Sequence, residues 1–414
     1  MAPIAALAEY WVDVAWSPVV DDAWRLDVSP LGGTDVLTDE FSVDFNGVYD
    51  DLVNEPGHGV KSVRIRRGRD DRLASMQAGE CIIVLRDPDG LYNPRNEASP
   101  LYGSLLPMRQ VQVRASNDGG DTIHHLFRGF IRSIEHNPSV DAQETTIVAS
   151  DLFLWLSRVS PTIDLPGEVT TGEAIAALLD DIGWTDVNLR DLDEGDTFDG
   201  FEADGDATAL NLIEALLEAE RGTFFAAKDG AATFEDRHSR ATRTSVATID
   251  DTMRALHSGV DLDAIGNRAR VARQIGTVTG DYQERVDGAS AATYGLADVG
   301  DITSPYLASD IHAASLAGYL VAMRGQPTSP MWGLDLINSD AATLSLMIER
   351  ELGDVVSVND TRGGTSGDYF VEAVEHEITD GGKYHRGRFV LSERGRDVFV
   401  VGTSTVGGAD IITY

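Results

Sequence analysis

Between residues 60 and 157 the chain repeats one pattern, short runs of alternating or β-branched apolar residues with no long helical period between them. VKSVRIRRG (60–68) sets Val63 and Ile65 against Arg64 and Arg66, the period of a half-buried strand. ECIIVLRDPDG (80–90) is a β-rich run closed by a tight Asp-Pro-Asp-Gly turn. RQVQVRA (109–115), HHLFRGFIRSIEH (124–136) and ETTIVASDLFLWLS (144–157) continue the pattern. Such a succession predicts a small barrel or sandwich.

The character changes after Pro161. In VTTGEAIAALLDDIGW (169–184), Thr170 stands three residues before Glu173 as in a capping box, and Gly183 marks the helix end. An acidic stretch, Asp191 to Asp206, reads as a solvated loop and leads into ATALNLIEALLEAERG (207–222). In that helix Leu210, Ile213 and Leu217 share one face, Leu216 flanks it, and Gly222 closes it. TFFAAKDGAATFEDR (223–237) reads as a β-hairpin turning at Asp229-Gly230. Strand character returns from about 265, where IGNRARVARQIG is expected to run on into TVTG. One more helix is predicted over 308–325, with Ile311, Ser315, Tyr319 and Ala322 on one face. Strands follow at 331–337, 354–360, 368–379 and 384–394. The glycine-rich end carries too few apolar residues to fold alone and reads as an extended arm.

The expected fold class is therefore mainly β with an α/β insert. Residues 1–160 form a first β-domain with an N-terminal extension and a loop insert, and 161–245 a small helix–hairpin domain. Residues 246–395 form a second β-domain with one helix, and 396–414 the arm.

Composition narrows the function. A formal net charge of −35 disfavours gripping a nucleic-acid backbone. A single cysteine, Cys81, excludes an internal disulfide and is expected to be buried in its strand. No apolar run approaches the ~20 residues that span a bilayer, and the first residues lack the basic leader of a secretory signal. A soluble globular protein is expected.

Nucleotide-binding glycine loops, C-x-x-C, H-E-x-x-H and G-x-S-x-G are all missing from the chain. Glu375-His376-Glu377 with His385 resembles a ligand cluster, but in a strand the two glutamates face one way and His376 the other. His124-His125 fails for the same reason. The acidic stretch lacks the register of a calcium loop. No catalytic residue, metal site or cofactor is expected, and the protein is read as not an enzyme.

The segment MQAGECIIVLRDPDGLYNPRNEASPLYGSLLPMRQVQVRA (76–115) resembles one typical of minor tail proteins, the tail-hub proteins of long-tailed phages. The matching residues are Ala78-Gly79, Asp89-Gly90, Tyr92, Pro94, Asn96, Ser99-Pro100, Tyr102, Leu105 or Leu106 and Pro107, followed by LFRGFIRSIE (126–135). Further segments agree in order: TTGEAIAALLDDIGW, the helix–hairpin at 209–237, NRARVAR, ASAATYGLADVG, LGDVVSV and the closing strands at 369–393. The resemblance spans about Val60 to Tyr414.

It implies two small β-barrel domains of tail-hub type in each chain and a homotrimer around the tail axis. Three chains would present six barrels to a six-fold tail tube. The implied place is the virion tail tip, between the tail tube or a distal tail protein ring and distal tip or fibre proteins. Genomic DNA would pass through the lumen without specific binding, and the chain would insert in no membrane. The arm is expected to lie on a partner through Phe399, Val401, Ile411, Ile412 and Tyr414. An alternative is a tail-tip module that binds a host carbohydrate or receptor; the six tryptophans (11, 16, 24, 155, 184, 332) are scattered rather than grouped on one strand. In the segment after the second strand, Pro88, Pro94, Pro100 and Pro107 stiffen the chain, Gly90 and Gly103 permit turns, and Tyr92 and Tyr102 anchor it. It is read as a rigid loop packed on its own barrel or on a neighbour.

Overall fold

The computed structural model describes residues 8–16, 49–53, 57–70, 72, 74–139, 142–259, 265–326 and 331–394. The early strands are β1 (Glu9–Ala15), β2 (Asp50–Asp51), β3 (Val60–Gly68), β4 (Gln77–Arg86), β5 (Gln110–Ser116), β6 (His124–Pro138) and β7 (Gln143–Ser150). They pair antiparallel in the order β3-β4-β7-β6-β5-β1-β2. Alternation places Val63, Ile65, Cys81, Ile83 and Leu85 in the core, as the period requires. The strand expected to run to 157 stops at Ser150, and α1 (Leu152–Leu156) begins. Asp151 is the cause: one carboxylate oxygen accepts the Phe153 N–H at 3.0 Å and the other the Gly79 N–H at 2.6 Å.

The middle of the chain contains β8 (Thr162–Thr170), α2 (Thr171–Asp181), β9 (Arg190–Leu192), β10 (Thr197–Asp204), α3 (Ala209–Glu220), β11 (Thr223–Ala226) and β12 (Ala232–Glu235). The capping box forms: the Thr170 hydroxyl accepts the Glu173 N–H at 3.2 Å and the Glu173 carboxylate the Thr170 N–H at 2.9 Å. β11 and β12 form the expected hairpin around Gly230, whose φ is +92°. Two expectations are corrected. The acidic stretch is not a free loop, because β10 pairs with β8 and buries Phe198, Phe201 and Ala203. A bulge at Gly200 breaks the two-residue period there, which hid the strand from pattern reading. Helix α3 closes at Arg221, with φ 57°, rather than at Gly222. Gly222 answers a different need: a Cβ there would lie 2.5 Å from the Glu235 carbonyl oxygen.

The remaining elements are β13 (Ser245–Ile249), β14 (Ala255–Ser258), β15 (Arg268–Ile275), β16 (Val278–Thr279), β17 (Gln283–Val286), α4 (Gly288–Tyr294), β18 (Asp298–Ser304), α5 (Asp310–Arg324), β19 (Met331–Ile337), α6 (Ala341–Glu349), β20 (Val355–Asp360), β21 (Thr365–Thr379) and β22 (Tyr384–Glu393). β15 does not continue through TVTG; the chain reverses at Gly276 and β16 pairs back antiparallel. On α5 the buried stripe is Ala313, Leu316, Ala317 and Leu320, while Ile311 in the first turn is 76% exposed. That i, i+3, i+4, i+7 stripe sits beside the one predicted, and its two alanines let the helix approach β15 closely. The single helix expected over 246–395 is α5; α4, capped by Asp287, and α6, where Asp340 accepts the Thr343 N–H at 2.8 Å, add two more.

β21 organises the molecule. Along one edge it pairs with β20 (Val355↔Phe370 to Asp360↔Thr365) and then with β3 (Ala373↔Gly68 to Thr379↔Ser62), while β22 covers the other edge. Among the described residues the result is a 13-stranded sheet in which a strand from late in the chain is zipped to one from its beginning.

Candidate functional site

The point where β21 changes partner is also where three stretches of the chain meet. The register of β21 against β22 shifts between Val371 and Ala373, leaving Glu372 at the step. Its carboxylate is fully buried and accepts from Arg69 Nε at 2.8 Å, Arg240 Nη1 at 2.7 Å and Ser392 Oγ at 2.6 Å. Arg69 follows β3, Arg240 follows β12, and Ser392 lies on β22. Arg240 also faces Glu235, whose other partner is Arg243 at 2.8 Å. The Phe370 ring receives two guanidiniums, Arg72 and Arg240, each 5.0 Å from its centroid.

Backbone geometry demands glycine beside this cluster. Gly68 has φ +104°, and a Cβ there would sit 2.1 Å from the Glu372 carbonyl oxygen. Nearby, buried Arg67 pairs with Glu351 at 2.8 Å and reaches the Ala226 carbonyl at 3.3 Å. Lys228 donates to the carbonyls of Ile348, Glu349 and Arg350 at the end of α6, where the helix dipole favours a cation.

Burial by itself would raise the Glu372 carboxyl, but Arg240 and Arg69 outweigh it and hold the group far below the usual carboxylate range. Burial lowers Arg69, whereas Glu372 and Glu235 raise Arg240 despite its burial. A second buried chain of polar groups ties β1 to the last hairpin: Tyr10 Oη to His385 Nδ1 at 2.8 Å, and His385 Nε2 to His376 Nδ1 at 2.9 Å. Burial pushes His385 down to about 3 and His376 well below its ordinary value. Glu375 and Glu377 point to the other face and pair with Arg66 and Arg64 at 3.3 and 3.2 Å, as strand alternation predicts.

The proline-rich segment after β4 resolves into a coil of consecutive turns. N–H to C=O bonds link Gly90 to Asp87, Asn93 to Gly90, Asn96 to Asn93, Ser99 to Asn96 and Tyr102 to Ser99, at 3.0 to 3.4 Å. Pro88, Pro94 and Pro100 each follow a turn-opening Asp, Asn or Ser, where a fixed φ is already correct. Side chains lock the coil from inside: Asn96 Nδ2 donates to the Gly90 carbonyl at 2.9 Å and Ser99 Oγ to that of Leu91 at 2.6 Å. The two tyrosines separate. Tyr92 is buried against Trp16 and His58, whereas Tyr102 is 51% exposed and Leu106, four residues on, is half-exposed.

Phe399, Val401, Ile411, Ile412 and Tyr414 lie outside the described residues. Sequence reasoning missed Glu372, Arg69 and Arg240; the available signal was one acidic residue inside the apolar run YFVEAV (369–374). Among the described residues no helix is long and apolar enough to cross a membrane.

No family model and no curated protein matches the chain in sequence. Solved structures do match in fold. A tail protein from Neisseria meningitidis superposes with a TM-score of 0.59 at 13% identity, covering 93% of this chain and 97% of that one. The 43 kDa tail protein of prophage MuSo2 from Shewanella oneidensis gives a TM-score of 0.56 at 12% identity, covering 84% and 96%. A chain of the Francisella PdpA–VgrG complex, half-lidded, gives 0.50 at 7% identity, covering 96% and 60%. The chain therefore has the mainly β fold of these two tail proteins.

Proposed function

We propose that this chain is a non-enzymatic structural hub at the tail tip of a tailed phage, three copies of which surround the tail axis. The observation that carries the reading is the match in fold to two tail proteins over nearly the whole length of each partner, at 97% and 96%. A connecting part must transmit load through its body. β21 supports this role, because it binds early and late segments into one hydrogen-bonded sheet whose junction is clamped by buried ion pairs.

In this reading 1–160 and 246–395 supply two barrel-like domains per chain, 161–245 braces them, and 396–414 reaches a neighbour through Phe399, Val401, Ile411, Ile412 and Tyr414. The hub joins the tail tube to distal tip proteins, and its acidic surface lets DNA pass without adhering. Exposed Tyr102 and Leu106 on the stiff turn coil are suited to contact a neighbouring subunit, since a rigid amphipathic ring costs little entropy to dock. Electron-microscopy class averages of the native particle, or of the purified chain, test this. A three-fold ring with six lobes is expected. A six-fold ring, or a chain that stays monomeric and is missing from the particle, overturns it.

A further inference from the structure

The turn coil opens on a group that the structural role does not use. His58, in the turn before β3, and Asp87 and Asp89, in the turn after β4, bring one ligand atom each within 4.8 Å of one another. His58 Nε2 lies 2.5 Å from Asp89 Oδ1, and the His58 ring packs edge-on to Tyr92 at 6.0 Å. Pro88 between the two aspartates fixes the backbone that presents both carboxylates to the same point.

Asp87 is the unusual member. It is 0% exposed, and its partners are the Thr145 hydroxyl at 2.7 Å, the Tyr92 N–H at 3.3 Å and His136 Nδ1 at 3.2 Å. Among the described residues no lysine or arginine pairs with it. A buried carboxylate without a fixed cation is costly, and the other buried carboxylates with ion pairs among the described residues, Asp13, Glu235, Asp335, Asp360 and Glu372, all have arginines. The surroundings of Asp87 offer neutral donors and two imidazoles instead.

We propose that His58 Nε2, Asp87 and Asp89 bind one divalent transition-metal ion of the zinc type, stapling the start of the turn coil to the turn before β3. An imidazole with two carboxylates is a donor set such ions accept, at about 2.0–2.2 Å per ligand. Two ligands of one ion can be at most about 4 Å apart at those lengths, so the group must contract slightly. Asp89, on an exposed turn, is free to make that movement. Binding displaces the proton between His58 Nε2 and Asp89, to solvent from an imidazolium or to Nδ1 in a neutral ring, so that the Nε2 lone pair faces the ion. Thr145 and the Tyr92 N–H hold Asp87 in place as an outer support.

The test is calorimetric titration of the full chain with zinc chloride after chelator treatment and dialysis. One saturable equivalent is expected. Asp89→Asn and His58→Gln should each weaken it at least tenfold, and Thr145→Val about 10–100-fold. Asp199→Asn, a surface acid elsewhere on the chain, should leave it unchanged. Zinc should also raise the melting temperature of the wild type but not of Asp89→Asn, whose exposed side chain is not needed for folding. The proposal is overturned if the wild type takes up no saturable equivalent. It is equally overturned if the two ligand variants bind as the wild type does, which would mean diffuse attraction to an acidic surface.

Discussion

Two sheets of this molecule use the same arginine–carboxylate chemistry in opposite surroundings. At the junction on β21, Glu372, Arg69 and Arg240 are almost wholly enclosed and join three distant stretches of chain. In the outlying sheet of β15 to β18, Arg270 meets Asp301 and Arg268 meets Asp298 across parallel neighbours, with the pairs open to water. The outlying sheet has its own small core, with Ala269, Val271 and Ile302 set against Leu316 and Leu320 of α5. Solvent makes the difference. An exposed pair exchanges one set of good contacts for another, whereas a buried charge that loses its partner has no water to turn to.

The sharpest way to break the contrast is at the junction. Glu372→Ala leaves Arg69 enclosed without its carboxylate and Arg240 with only Glu235, at 3.6 Å, and should lower unfolding stability by about 3–5 kcal/mol, read from the urea midpoint. A loss as small as that of a surface pair would mean that water enters the junction.

An intermediate effect is expected from the histidine chain beside it, and it depends on pH. His385 is held neutral in the folded state, at about 3, while the unfolded chain takes up a proton near 6.5. Its stabilisation is therefore present above pH 6.5 and is lost as the pH falls through the window from there to about 3. Between pH 7.5 and 5.5 the loss is about 1.4 kcal/mol for one such histidine. Glu220 works against it: burial raises its carboxyl to about 7, so its contribution is present below the unfolded value and lost as the pH rises through 7. His385→Phe should therefore flatten the acid side of the stability profile by that amount, whatever it does to absolute stability. An unchanged slope would mean that the ring is already protonated in the fold.

The smallest effect belongs to the outlying sheet, where Arg270→Ala should cost no more than about 1 kcal/mol and less in high salt. A larger loss in the assembled particle than in the free chain would mark that sheet as a contact surface, which would sharpen the comparison rather than end it.

The local elements were largely legible. Alternation in VKSVRIRRG, the Thr170–Glu173 capping box and the Asp229-Gly230 hairpin act over a few residues, and each formed as expected. Three of the misreadings arise at single residues: Asp151 caps a helix, Gly200 inserts a bulge and Gly276 reverses the chain. Pattern counting averages over such steps. The turn coil was legible as a stiff loop, but not the division of labour between a buried Tyr92 and an exposed Tyr102.

The sequence by itself determined where most strands of the large sheet and the helices α2, α3 and α5 lie, that the fold is mainly β, and that the segment after β4 is built of turns. Propensity, period and turn chemistry are properties of neighbouring residues. Only the tertiary structure decided that β21 divides its edge between β20 and β3, that Glu372 finds Arg69 and Arg240, and that His58 meets Asp87 and Asp89. Those partners are separated by tens to hundreds of residues. Which distant segment fills an open strand edge, or neutralises a buried charge, is settled only when the whole chain has packed.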